Sequence, residues 1–152
     1  MPLTFASETW WKVKPEIAPL WQRHWEEIAH DKDTIPLDPD WNSYDGAAAL
    51  GKLAIMAARD ENAKLQGYLF ALVTGHMHYQ STLCAFYDLF WLAPEHRTGW
   101  NGYHLMKAAE DMLRDMRVKK AFGQTKLAHD MSAIFRRLKW KPVETVFAKT
   151  LR

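Results

Sequence analysis

Apolar residues at Ile17, Leu20, Trp21, Trp25 and Ile28 recur at three- and four-residue steps, the spacing of one helix face. Pro15 suits the first turn of that helix, where a missing N–H costs nothing. The period stops in HDKDTIPLDPDWNSYDG, a polar stretch with two prolines that predicts a loop around at most a short helix. From Lys52 onward apolar residues become dense and the helical period disappears. Strands over 52–58, 66–76 and 82–92, joined through RDENAK and GHMHYQS, make an antiparallel meander. Helical spacing returns from Tyr103 to Arg117, with Leu105, Ala108, Ala109, Met112 and Met116 on one face. VKKAFGQTK then reads as a strand, and HDMSAIFRRLKW as a short helix capped by Asp130 with Met131, Ile134, Phe135 and Leu138 inward. PVETVFAKTL reads as a last strand.

A strand, a glycine turn, a helix and a further strand form a crossover unit, whose strands are parallel and right-handed. The expected fold is α+β: a mixed, mainly antiparallel central sheet with helices on both faces. The 152 residues suit one domain spanning 1–152.

Composition changes this picture little. With 48% hydrophobic and 25% charged residues the chain reads as folded, and its eight tryptophans as core or cleft walls. A formal charge of +2 disfavours a nucleic-acid binder and suits a small anionic ligand. Cys84 is the single cysteine; an intrachain disulfide and a Cys-based zinc site are ruled out, and its apolar surroundings predict burial. The N-terminus lacks a basic start followed by a long apolar run, and no run reaches about 18 apolar residues, so the expectation is a cytoplasmic protein with no membrane partner.

The candidate chemistry lies in WLAPEHRTGWNGYHLMKAAEDML, where an apolar strand turns at Pro94, passes Arg97, Gly99 and Gly102, and becomes the amphipathic helix. Backbone N–H groups from Thr98 through Gly99, Trp100, Asn101 and Gly102 to Tyr103 then sit at a helix N-terminus, where unpaired donors and the helix dipole favour an anion. A solvated turn is the plain alternative. On these residues the chain resembles the GNAT superfamily of acyl-CoA-dependent N-acyltransferases. Leu92, Pro94, Glu95, His96 and Arg97 follow that family's Val-x-Pro-Glu-Tyr-Arg motif, and Gly102 matches the last glycine of its Arg-x-x-Gly-x-Gly/Ala pattern. The middle glycine of the pattern falls at Trp100, with Gly99 one place early. Downstream, Phe135 stands where the family often has a catalytic tyrosine, and Lys139 where it has glycine. The likeness covers residues 50–152 best. HWEEIA, PLDPD and VETVFAK are similar to phage-encoded members, which implies a host-cytoplasm setting.

The resemblance implies acetyl-CoA as co-substrate, its pyrophosphate on the glycine turn, charge from Arg97, and its pantetheine arm along Trp91 and Leu92. It also implies transfer to a primary amine, on a small molecule or on a protein lysine or N-terminus, by direct attack in a ternary complex. A lysine-type amine has a pKa of about 10.4, so a base must take its proton. Asp88, an acid in an apolar run, is the first candidate, with a buried and therefore raised carboxyl; a structural or solvent-facing acid is the alternative. Tyr87, Tyr103, His129 or water would replace the missing tyrosine as acid. His76 and His78 share a strand face, but spacing marks no third ligand, so lining the acceptor cleft or exposure at a hairpin end is favoured over metal. The family builds acceptor specificity where this chain has Trp21, His24, Trp25, Glu26, Trp41, Tyr44 and Asp45. A cationic acceptor favours one acid among Glu26, Glu27, Asp38, Asp40 and Asp45. A homodimer fits the family's habit. The rival reading is a non-catalytic, GNAT-shaped binding module acting on a protein partner, which the early glycine and Phe135 favour.

Overall fold

The computed structural model describes residues 2–152. Five strands lie in the order of the chain: β1 (Thr4–Ser7), β2 (Leu53–Arg59), β3 (Leu65–His76), β4 (Tyr79–Leu92) and β5 (Lys120–Phe122). The first four pair antiparallel, and β5 joins β4 in parallel after the crossover through α3 (Asn101–Asp115). The mixed sheet expected from the sequence is therefore present, with α1 (Trp10–Ile28) and α2 (Trp41–Ala49) on one face and α3 on the other. Among the described residues no helix is long and apolar enough to cross a membrane.

Both faces of the sheet are covered, which is why β2 and β3 read as continuous apolar runs. Ala54, Met56 and Ala58 of β2 and Leu69, Ala71 and Val73 of β3 pack with Leu105, Met106, Ala109, Met112 and Leu113 of α3. Ile55, Ala57, Tyr68 and Phe70 point the other way, onto Trp10, Val13, Ile17, Leu20 and Trp21 of α1.

Three expectations need correction. Helix α1 starts at Trp10 with Thr9 as its cap, so Pro15 and Pro19 lie inside it rather than in its first turn. Both prolines are exposed and four residues apart, so the carbonyls they leave unpaired sit on the outer face, near water. Residues 4–7, which showed no legible period, form the edge strand β1. The segment PVETVFAKTL forms no strand: residues 141–152 have no regular structure, and Val143, Val146, Phe147 and Leu151 are exposed. Its β-branched and aromatic residues suit a strand, but no strand of the described sheet pairs with it. The short helix α4 (Ser132–Arg137) is present, with Met131 at the cap position; the Asp130 carboxylate still accepts from the Ser132 N–H at 2.9 Å.

Strand β4 contains a bulge that sets up the site. Ala71 faces Tyr87 and Phe70 faces Leu89, leaving Asp88 as the extra residue. The parity of the strand inverts there. Leu83, Ala85 and Tyr87 face α3 before the bulge, whereas Phe90 and Leu92 face it afterwards and Leu89 and Trp91 turn to α1. Beyond the bulge β4 is clamped to β3 by Gly67, where a Cβ would lie 2.6 Å from Leu92 Cδ1 and 2.8 Å from the Trp91 carbonyl oxygen. Gly67→Ala is expected to cost about 2 kcal/mol through overpacking against that backbone. Urea unfolding measures it, and an unchanged midpoint would refute the clamp.

Candidate active site

Strand β5 pairs with β4 only at Cys84, Ala85 and Phe86. Past Phe86 one edge of β4 has no strand partner, and the separation opens a cleft of about 770 Å3 whose lining includes Tyr87 through Leu92. A volume of several hundred Å3 accommodates a cofactor-sized molecule. The far end of the cleft is the N-terminus of α3, with Gly99, Trp100, Gly102 and Tyr103 in its wall. Trp100 is the N-cap and supplies no side-chain hydrogen bond. The N–H groups of Gly102 and Tyr103 have no partner among the described residues, so two helix-terminal donors are available.

The loop's glycines serve different ends. Gly99 has φ of +56°, a left-handed conformation that explains a glycine one place earlier than the family pattern has it. A Cβ on Gly102 would lie 3.1 Å from Ile134 Cδ1, so that glycine lets α4 approach the first turn of α3. Asn101 is not in the wall; its side-chain amide donates to the His96 carbonyl at 2.9 Å and ties down the turn at Pro94–His96. Thr98 is also outside the lining, and its carbonyl accepts from the Asn101 N–H at 3.3 Å.

Arg97 does not point freely into the cleft. Its guanidinium grips Glu27 of α1 with two hydrogen bonds, at 2.5 and 2.7 Å, while its Nε donates to the Leu92 carbonyl at 2.7 Å. Glu27 also accepts from the Trp91 indole at 3.0 Å. The Arg97 hydrogen bonds, and then that of Trp91, hold the Glu27 carboxyl down at about 2 despite partial burial. Positive charge at the cleft comes further from Lys126 and Arg137, the latter stacked 4.6 Å over the Trp100 ring. No sequence pattern marked Lys126 or Arg137; the loop after β5 and α4 bring them to the wall.

Asp88 is exposed, which removes the burial expected for it. Its carboxylate accepts the Tyr44 hydroxyl at 2.9 Å. Burial, and then the neighbouring Asp88 charge, push the Tyr44 pKa up, so this phenol is a fixed donor. Tyr44 is itself held by Trp10 and Trp21, at ring separations of 5.2 and 4.9 Å. His129 is exposed at the cleft wall. Tyr87 is also in the wall, but its hydroxyl is buried with no partner, beside Trp140 at 5.2 Å. Phe135 packs on Gly123, where a Cβ would meet its ring at 2.7 Å. Cys84 is buried and outside the lining.

The expected acceptor residues are not brought together. Trp25 and Glu26 are outside the cleft wall; the ammonium of Lys32 lies over the Trp25 ring and donates to the Glu26 carbonyl. His76 and His78 are adjacent at the β3–β4 hairpin end, ring centroids 5.4 Å apart, and neither lines the cleft. Asp45 is taken by the Trp10 indole and Lys14, and Asp40 caps α2. Glu27 thus enters the site as the partner of Arg97 and Trp91.

No family model and no curated protein matches the chain. Solved structures match along its whole length. An aminoglycoside acetyltransferase from an uncultured soil metagenomic sample superposes with a TM-score of 0.73 at 16% identity, covering 99% of this chain and 97% of that one. Glucosamine-6-phosphate N-acetyltransferase from Arabidopsis thaliana gives 0.71 at 11% identity, with all of both chains covered. AAC(6')-Iy, in complex with the bisubstrate analogue CoA-S-monomethyl-acetylneamine, gives 0.66 at 14% identity, covering 100% of this chain and 99% of that one.

The Glu27–Arg97 contact has a pH signature. A carboxyl whose pKa is lower in the folded than in the unfolded chain adds stability above its unfolded value, near 4.5, and loses it as pH falls through about 2. Wild type is therefore expected to be more stable than Glu27→Gln at pH 7, with the gap closing as pH falls from 4.5 towards 2. Unfolding curves at several pH values check this, and a pH-independent gap would contradict it. The architecture and the match along the full chain agree: this chain has the fold of the GNAT acetyltransferases.

Proposed function

We propose that the protein, acting as one domain over 1–152, is an N-acetyltransferase that uses acetyl-CoA to acetylate a primary amine. The observation that carries this reading is the opening of β4 from β5 beside the unpaired N–H groups of Gly102 and Tyr103. An extended ligand arm can pair with the free edge of β4 while its anionic end meets the α3 N-terminus. Gly99, Trp100, Lys126 and Arg137 surround that anionic end in this reading. Arg97 contributes by orienting the Leu92 carbonyl and Glu27 rather than as a free phosphate ligand. The structural neighbours named as acetyltransferases, one of them bound to a CoA analogue, support the same assignment.

The acceptor approaches from the side of Tyr44 and Asp88. An alkylammonium is attracted by the exposed Asp88 carboxylate and gives up a proton through it, directly or by water. The free amine then attacks the thioester carbonyl, the new N–C bond forms and the C–S bond breaks, and the proton the nitrogen sheds on becoming an amide passes to the departing thiolate, directly or by water. The thiolate leaves with a conjugate pKa of about 8.5, so it needs an acid less than an alkoxide would. His129 is the accessible acid at the wall, and Tyr87 becomes available only if its buried hydroxyl gains access to the ligand. Attack within a ternary complex suits this chain better than an acyl-enzyme, since Cys84 is buried and away from the cleft.

Calorimetric titration with acetyl-CoA is expected to give micromolar binding, weakened about tenfold by Arg137→Glu, which reverses charge at the anionic end. With an amine screen spanning amino sugars, aminoglycosides and peptide N-termini, Asp88→Asn is expected to lower kcat by about a hundredfold and leave acetyl-CoA binding unchanged. Binding without turnover of any amine would favour the GNAT-shaped binding module, which the apolar Phe135 also suits. Absence of binding would end the acetyl-CoA reading.

A further inference from the structure

His24 is a buried histidine in the cleft wall, and nothing in the chemistry above uses it. It projects from α1 between β3 and β4, its ring 6.0 Å from Trp91 at an interplanar angle of 24° and 5.9 Å from Tyr68. Its Nδ1 lies 2.9 Å from the Tyr68 hydroxyl. Tyr68 is wholly buried, and this is the hydroxyl's one hydrogen bond among the described residues.

These facts fix the direction of the bond. Were Nδ1 to donate, the phenol proton would be left without an acceptor in the core, which is costly for a buried donor. The satisfied arrangement has the Tyr68 O–H donating to Nδ1, which leaves the second ring nitrogen, Nε2, carrying the proton. Nε2 has no hydrogen-bond partner among the described residues. The ring is part of the cleft wall, and Nε2 is the ring nitrogen not engaged by Tyr68. Burial, reinforced by Arg97 and Lys126 against an opposing effect of Glu27, lowers the imidazole pKa to about 4 and keeps the ring neutral near pH 7.

We propose that Tyr68 and His24 form a relay that presents a neutral Nε2–H donor to the cleft beside Trp91, where it holds a carbonyl oxygen of the bound acyl-CoA. This rests on the acetyl-CoA reading of the cleft. A neutral donor suits a carbonyl: it bonds the oxygen without creating a buried cation beside Arg97. Packing against Trp91 and Tyr68 fixes its aim, so little freedom is lost on binding. Lys126 and Arg137 serve the anionic end of the ligand, and His24 serves its neutral arm.

Two measurements test the relay. Ring-nitrogen NMR of the ligand-free protein is expected to show His24 as the Nε2–H tautomer, and Tyr68→Phe to mix in the Nδ1–H form. An Nδ1–H tautomer in wild type would overturn the proposal whatever the ligand does. Calorimetry with acetyl-CoA then compares His24→Gln, which retains a donor near Nε2, with the His24→Phe/Tyr68→Phe pair, which removes the donor without orphaning the phenol. The pair is expected to weaken binding about tenfold and His24→Gln less than threefold, with both variants folded by circular dichroism. Wild-type binding matched by the double variant would sink the relay and leave the acetyl-CoA reading standing. Absence of wild-type binding would sink both.

Discussion

Strand β4 is held by β3 along its length but by β5 only to Phe86, and the site depends on that unequal pairing. A short parallel partner leaves a row of backbone donors and acceptors with no strand beside them, on a strand too well packed to move. The bulge at Asp88 lies near the point of separation. By inverting the parity of the strand it turns Trp91 towards α1 and Leu92 towards α3. Without it the aromatic wall above the cleft and the apolar floor below would exchange faces, because the side-chain period of a strand is two.

The second element is the end of α1, which acts as a strut across the cleft. Glu27 takes hydrogen bonds from Arg97 and Trp91, and His24 stacks on Trp91 while its Nδ1 shares a hydrogen bond with the Tyr68 hydroxyl. One helical turn thus joins the strand edge, the loop before α3 and the strand behind it. The Trp10, Trp21, Trp41 and Tyr44 rings extend this wall to Asp88, with Trp21 and Trp41 nearly parallel at 5.4 Å. Here the tryptophan-rich composition has its structural use: large rigid rings fix donors and acids at small entropic cost.

Much of the fold was legible because periodicity reports burial. The α3 stripe, the dense runs of β2 to β4 and the turn at Pro94 each appear near their expected places, with β4 beginning at Tyr79 and α3 at Asn101, both ahead of the expected starts. The failures have physical causes. An edge strand as short as β1 carries no measurable period, and Pro19, like Pro15, is tolerated in α1 because water can reach the carbonyls it leaves free. PVETVFAKTL has strand-favouring residues, but propensity records only a capacity to pair, and no strand of the described sheet takes it up.

For the site, the sequence determined the local chemistry: a glycine turn leading into a helix, an arginine before it, and an acid within an apolar strand. Those features depend on neighbours a few residues apart. Tertiary structure decided what each group faces. It gave Arg97 to Glu27 across seventy positions of chain and Asp88 to Tyr44 rather than to the core. It left Trp25, Glu26, His76 and His78 outside the cleft wall, kept His24 in it, and brought in Lys126 and Arg137. A side chain's partner across the cleft depends on strand pairing, bulge parity and helix rotation together, and no short stretch of sequence contains all three.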